Sequence, residues 1–226
     1  MSHVLDNPPL TSLAGVHRDL GIHTPGASRY RSEISPFAAL EGADFTALER
    51  IVDEAPVALF QVDRLPDSWR VVSQVSVIQM VCDEPLIAPE QTFQRLGSQD
   101  AANMLRLAQQ TQPGPFAIRT VEMGHYRGLY VGDQLVAMAG ERLKPTGYVE
   151  VSGVCTDPAY RGHGYAAALV RVVGSAIQAQ GLVPFLYVAA GSPSELTARG
   201  VYERLGFRQR CRQTLTIVHK DPHPAG

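Results

Sequence analysis

The tetrapeptide Arg161-Gly162-His163-Gly164 lies between a β-branched stretch, "YVEVSGVCT", and an alanine-rich one, "YAAALV". Two glycines and a cation at the point where a strand gives way to a helix suit one chemical task above others, the holding of an anion. Backbone without side chains can approach a phosphate closely, and the first N–H groups of a helix supply unpaired donors and positive potential. Arg161 adds a charge-assisted hydrogen bond. The plain alternative is a glycine-rich turn with no ligand, because G-x-G alone is a weak signal. Two nucleotide chemistries fall away at once. A Walker A loop needs Gly-Lys-Ser/Thr, which is absent. A dinucleotide fold needs an acidic residue at the end of the next strand, where "FLYVAAG" has none, although Ala167 fits the third small position.

Other residues whose chemistry needs a reason are few. Glu150 stands in the middle of "YVEVSGV", where an acid is costly unless exposed or paired. Glu141, in "AMAGERL" beside Arg142, is its rival as a candidate base. Cys155 has no cationic neighbour in sequence to activate it and reads as a small buried filler. His163, inside the glycine run, reads as solvated or phosphate-facing. The seven histidines show no metal-ligand spacing, and no metal is expected.

The elements that must position these groups follow from periodicity. "YVEVSGVC" with the preceding Gly147 is a strand, and the helix from Tyr165 places Leu169, Val172, Val173, Ala176 and Ile177 on one face until Gly181 ends it. "VPFLYVA", 183–189, is the next strand, so the glycine run opens the helix of a βαβ-like unit. "SPSE", 192–195, has the capping-box form, with Ser192 as N-cap and Glu195 at the third position of a helix running to Leu205. "TLTIVH", 214–219, closes as a strand.

Upstream, "GLYVG" and "QLVAMAG" form a hairpin about Gly132-Asp133. "TQPGPF", 111–116, is a loop, and the helix before it is capped by Ser98 or Asp100. "TFQRLG" reads as a short strand. In the first part, 69–82 and 57–62 read as strands, 45–56 as a helix, and the first 35 residues as an irregular arm with one short helix near Thr11–Leu20. The proline-rich and acidic "DEPLIAPEQ", 83–91, suits a linker. The expected division is therefore 1–90 and 91–226.

Composition excludes several classes. A net charge of −2 offers no basic field for nucleic acid, and no apolar stretch is long enough to span a membrane. The opening "MSHVLDNPPL" lacks the pattern of a secretory signal. Three widely spaced cysteines fit a reducing, cytoplasmic setting.

"VCTDPAYRGHGYAAALV" resembles the acetyl-CoA signature of GNAT-superfamily N-acetyltransferases, Arg/Gln-x-x-Gly-x-Gly/Ala, here Arg161, Gly164 and Ala166. "GVYERLGF", 200–207, is similar to the family's second motif, and "TQPGPF", "LVAMAGERL" and "EVSGVCT" look closest to the branch with glycine N-acyltransferase-like C-terminal domains. The resemblance covers roughly residues 91–219. It implies an α/β (α+β) fold, a mixed and mostly antiparallel twisted sheet flanked by helices. The C-terminal half would be complete, and the N-terminal half would be open to reading as a degenerate copy.

The resemblance also implies a division of labour. The backbone of the Val154-Cys155-Thr156 strand end would hold the pantetheine arm of acetyl-CoA. Amides of Arg161, Gly162, His163, Gly164, Tyr165 and Ala166 would hold the pyrophosphate. Tyr202 would protonate the departing thiolate, and Glu150 would serve as general base. The implied reaction is direct attack of a small amine, or an amino-acid-like one, on the thioester. Transfer of a longer acyl group, or a non-catalytic CoA-binding sensor, are the alternatives. Many relatives carry asparagine where this chain has Glu195, so that residue's function does not carry over. The acceptor pocket is expected from loops such as "TQPGPFAIRT" and part of the N-terminal half. The sequence leaves the oligomeric state open, a homodimer included.

Overall fold

The protein was analysed as a computed structural model that describes residues 3–193 and 195–221. Its strands are β1 (Gly21–Thr24), β2 (Ala27–Tyr30), β3 (Ala38–Leu40), β4 (Val57–Phe60), β5 (Trp69–Val81), β6 (Gln94–Leu96), β7 (Tyr126–Val131), β8 (Gln134–Glu141), β9 (Tyr148–Thr156), β10 (Val183–Ala189) and β11 (Arg208–Lys220). The helices are α1 (Pro8–Ala14), α2 (Phe45–Glu49), α3 (Ala101–Thr111), α4 (Tyr165–Gln178) and α5 (Glu195–Arg204). The sheet expected from the sequence is present as eight strands in the order β4-β11-β5-β10-β9-β8-β7-β6, with a separate three-stranded sheet β1-β2-β3. All neighbours in the large sheet pair antiparallel except β9 and β10, which are parallel.

Alternation along the strands builds two layers of core. Ala137, Ala139, Val149 and Val151 face Leu169, Val173 and Ile177 of α4. Met138 and Leu135 point the other way, to Met104 and Leu107 of α3. On that second face, β4, β5, β10 and β11 pack against Leu5, Leu13 and Phe37. The β7–β8 hairpin closes on Gly132, at φ 58°, with Val131 opposite Gln134, the positive-φ geometry that a two-residue turn needs.

Several elements depart from their sequence patterns. The helix of 45–56 stops at Glu49, since Pro56 and the charged Asp53 and Glu54 offer no apolar face to continue it. The last strand starts at Arg208 instead of 214, because its polar first half pairs with β5. The N-terminal arm is ordered: its helix starts at Pro8, and a three-stranded sheet follows. The "SPSE" box includes Ser194, which lies outside the described residues. The helix begins at Glu195, whose carboxylate accepts from Gly191 N–H, while the Ser192 hydroxyl donates to Ala189 O. Asp100 precedes α3, yet its carboxylate takes Gly97 N–H and the Tyr130 hydroxyl instead of helix amides.

Segment 83–91 carries the chain from β5 to β6 without strand or helix. The sheet runs across it, because β5 is hydrogen-bonded to β10 on one side and β11 on the other. Period-two patterning reveals a strand but not its partners.

A buried histidine pins the arm to this sheet. His17 Nε2 lies 2.8 Å from Met123 O and Nδ1 lies 2.8 Å from the Tyr30 hydroxyl. A carbonyl can only accept, so Nε2 carries the proton and Tyr30 donates to Nδ1. Burial drives His17 down to about 4, so the ring is neutral. Below the unfolded-state value of about 6.5, the unfolded chain binds a proton that the native state refuses until about pH 4. Stability is therefore fully present above that window and falls through it, by about 2–3 kcal/mol between pH 7 and 4.5. Urea unfolding at the two pH values checks this. The loss should shrink by that amount in His17→Gln, and an unchanged loss would refute the assignment.

Candidate active site

The parallel pair β9 and β10 is joined only at one end. Val183, Pro184 and Phe185 face Tyr148, Val149 and Glu150, and beyond that register the strands part. From Val151 to Thr156 the β10-facing edge of β9 has no strand partner among the described residues, which leaves amide and carbonyl groups for a ligand. The opposite edge keeps its pairing with β8, with a shift between Met138–Cys155 and Gly140–Ser152. Gly153 and Val154 of β9 there oppose Ala139 of β8 alone, a β-bulge with Gly153 in the left-handed region at φ 62°. A bulge reverses which face each later side chain takes. Glu150 and Ser152 face the N-terminal elements, Cys155 also packs on that side against α3, and Val154 turns to the α4 side. The hydroxyl of Thr156, at the strand end, is buried without a partner among the described residues.

Five residues later the chain reaches the glycine run, at Arg161. Gly162 (φ 85°) and Gly164 (φ 76°) both occupy the left-handed region, and a Cβ on either would meet nothing within 4 Å. Glycine is needed here for conformation and open approach, not for internal packing. Gly164 precedes α4, and no side chain caps the helix. Its first amides thus point outward from the open strand end, a fit for a pyrophosphate. Arg161 is exposed, with Nε donating to Thr156 O at 3.4 Å. His163 stacks on Tyr165, centroids 5.4 Å apart, and its Nδ1 sits 3.1 Å from the Tyr160 and Arg161 carbonyls.

A cavity of about 250 Å³ lies at the strand opening. Its wall includes Val151 and Val154 with Tyr202 of α5, from the α4 side, and Phe60, Val77 and Tyr187 from the opposite side. It therefore passes through the sheet where β9 and β10 part. Pro113–Pro115 of the loop after α3 and Phe37 from the N-terminal part complete it.

Glu150 is on this wall, 1% exposed, and forms a bidentate pair with Arg142: Nε to Oε2 at 3.0 Å and Nη2 to Oε1 at 2.5 Å. Leu143 N–H gives Oε2 a second donor at 3.3 Å. Burial opposes the Arg142 charge, and Glu150 more than restores it. Glu141 is elsewhere, off the cavity wall, paired with Lys144 at 2.7 Å. Burial pushes the Tyr202 phenol up to about 12, with the Cys155 thiol adding to the shift, so it keeps its proton at neutral pH. Burial likewise lifts Cys155 to about 11, leaving it an unactivated thiol.

Sequence reasoning placed Glu150, Tyr202 and Val154 in one site, and all three line one cavity. It did not find Arg142 as the partner of Glu150, Ser152 on the same wall, or the aromatic side chains from the first half. Gly153 inside a strand pattern was the available signal for the bulge.

A parallel pair that opens beside a helix N-terminus, with a cavity threading the gap, defines the acyl-CoA-binding class of transferase folds. A family model described as FR47-like protein matches residues 126–217. A crystal structure from Novosphingobium aromaticivorans DSM 12444, assigned to the GNAT family of acetyltransferases, is similar over 97% of this chain and 100% of its own, at 36% identity and a TM-score of 0.88. GCN5-related N-acetyltransferases from Kribbella flavida (17% identity, TM-score 0.59, 95% of this chain and 94% of that one) and Streptococcus suis (an N-acetyltransferase-like protein; 15%, 0.58, 94% and 92%) share the fold. No curated protein matches the sequence. The chain belongs to the GNAT family of N-acetyltransferases. Among the described residues, no helix is long and apolar enough to cross a membrane.

Proposed function

We propose that this protein transfers an acetyl group from acetyl-CoA to the amine of a small molecule. The observation that carries the reading is the single cavity that joins the open edge of β9, the Tyr202 phenol and the Glu150 carboxylate. Amides of residues 161–166 would hold the pyrophosphate, and the backbone of Val154–Thr156 would hold the pantetheine as an added strand. Acetyl-CoA supplies the activated thioester: a C–N bond forms, the C–S bond breaks, the amine loses a proton to solvent and the sulfur gains one. Tyr202, protonated at neutral pH, donates that proton.

Glu150 receives a narrower role than general base. Oε2 already accepts two hydrogen bonds, and a proton on the carboxylate would leave the buried Arg142 without its partner. Oε1 accepts one, so a lone pair remains to orient the amine N–H. The unpaired thiols Cys82, Cys155 and Cys211 support placement in a reducing compartment such as the cytoplasm.

Tyr202→Phe tests the reading. Turnover by thiol release should fall by about 10²-fold or more, the scale of general-acid catalysis. Acetyl-CoA affinity by calorimetry should stay within a factor of two or so, since the phenol is asked to act on the leaving sulfur only. A wild-type rate would reduce Tyr202 to a packing residue.

A further inference from the structure

The acceptor end of the cavity is built from rings and alkyl groups. Phe37, Phe60 and Tyr187 form a ladder, with Phe37–Phe60 stacked at 6.0 Å and Phe60–Tyr187 at 5.5 Å. Val77, Leu215 and Ile217 continue the wall. The Tyr187 hydroxyl is occupied by Gln79 at 2.7 Å and Gln213 at 3.2 Å, so the ring presents its apolar body. Arg142 and Glu150 are the charged residues among those lining the cavity, and they neutralise each other.

The charge of the guanidinium is already balanced by Glu150, and three of its five N–H donors are engaged. Nε and Nη2 are on Glu150, Nη1 donates to Pro115 O at 3.3 Å, and its face lies 5.1 Å from the Phe37 ring. A substrate carboxylate entering here would be desolvated beside Glu150 and against a cation that Glu150 already balances. An amine N–H, by contrast, finds the remaining lone pair of Glu150 Oε1. The Ser152 hydroxyl, on the same wall, makes no hydrogen bond among the described residues and is a second polar contact. In size, an apolar cavity of about 150 Å³ takes benzene; the cavity here, about 250 Å³, leaves room for a ring and a short arm.

We infer that the acceptor is a primary amine on an apolar, ring-bearing body with no carboxylate, an arylalkylamine in chemical class. This rests on the acetyltransferase reading and narrows it, since an amino acid becomes a poor substrate. A long acyl chain would fill the same volume, but the buried ion pair at the polar end is matched by an N–H and not by methylenes.

The test pairs 2-phenylethylamine with phenylalanine, which differ by the carboxylate alone. Thiol release from acetyl-CoA should favour phenylethylamine in kcat/KM by about 100-fold or more, the penalty of an unpaired buried carboxylate. Binding of each amine is also titrated calorimetrically without CoA, and the same preference is expected. Equal or better use of phenylalanine overturns the inference. So does binding of neither amine, above all if octanoyl-CoA binds more tightly than acetyl-CoA, which gives the cavity to the acyl chain. Failure of acetyl-CoA to bind, with phenylethylamine still preferred in titration, refutes the acetyltransferase reading and leaves the acceptor pocket standing.

A substitution at Val75 supplies a folded control, because Val75 lines the cavity from a strand position 37% exposed, where a polar side chain is tolerated. Because a carboxylate would itself attract the ammonium form of the amine, the informative change at this position is the neutral Val75→Gln, which should weaken phenylethylamine at least tenfold by placing an amide in the apolar wall and leave acetyl-CoA affinity unchanged. Unaltered amine affinity would count against the pocket.

Discussion

Arg142→Met should lower the unfolding free energy by about 3–5 kcal/mol, the cost of stranding one member of a buried ion pair. The melting temperature of a chain this size should drop by roughly 10 °C. The side chains of Arg142 and Glu150 are 8% and 1% exposed, so water cannot take over the vacated hydrogen bonds. The Arg208–Asp83 pair is the contrast. At 2.7 Å its geometry is comparable, but its side chains are 66% and 56% exposed, and Arg208→Met should change stability by less than about 0.5 kcal/mol. The double variant Arg142→Met with Glu150→Leu should regain most of the lost stability, since a buried pair replaced by apolar groups is often neutral. Its amine turnover should still be poor, because the acceptor for the N–H has gone. Chemical denaturation of the four proteins, with thiol release on each, separates the pair's structural cost from its role in the site. An Arg142→Met protein as stable as wild type would mean that Glu150 is solvated in a way its burial contradicts.

The same pair shows where sequence reading runs out. Glu150 stood out because an acid inside an apolar strand must be paired or exposed, and the requirement is local. Its partner lies on the turn side of β8, brought opposite by the register of β8 on β9, and register across two strands is not written in either one. The open glycine turn before α4 was legible for the converse reason: strand end, glycines and helix start are contiguous, so their geometry is set within a dozen residues. The aromatic ladder was hidden twice over. Phe37 and Phe60 come from the first half of the chain and Tyr187 from β10, and they meet only because β4 and β5 join the sheet beside β10 and β11. The individual strands and helices followed from periodicity and the fold class from the resemblance of the motifs, whereas the sharing of one sheet between both halves depends on long-range pairing that periodicity does not encode.

That sharing has a functional consequence. The groups proposed to bind acetyl-CoA all come from residues 154–166, while one side of the wall proposed to select the amine, Phe37, Phe60, Val75 and Val77, comes from the chain that precedes β6. Variation in the first half can therefore change the acceptor without touching the cofactor loop, which is how one scaffold comes to serve many amines.

Gly164→Glu should abolish measurable acetyl-CoA binding, a loss of about 10²-fold or more. Three effects act together. The glutamate carboxylate lies at the N-terminus of α4, where it competes for the amides and positive potential meant for the pyrophosphate. Its charge repels the incoming phosphates at short range. A non-glycine residue at φ 76° also costs about 1–2 kcal/mol, which perturbs the loop. The fold itself should survive, since a Cβ at this position meets nothing within 4 Å and an acidic group near a helix N-terminus partly offsets the strain. Gly164→Ala carries the backbone cost without the charge, so its affinity should fall only several-fold. Titration with desulfo-CoA as well as acetyl-CoA removes the thioester from the comparison, and both should lose affinity in parallel if the loop holds the pyrophosphate. Unchanged affinity in Gly164→Glu, with an unaltered melting temperature, would take the loop out of the site and leave a CoA ligand to rest on the open edge of β9 and on family membership.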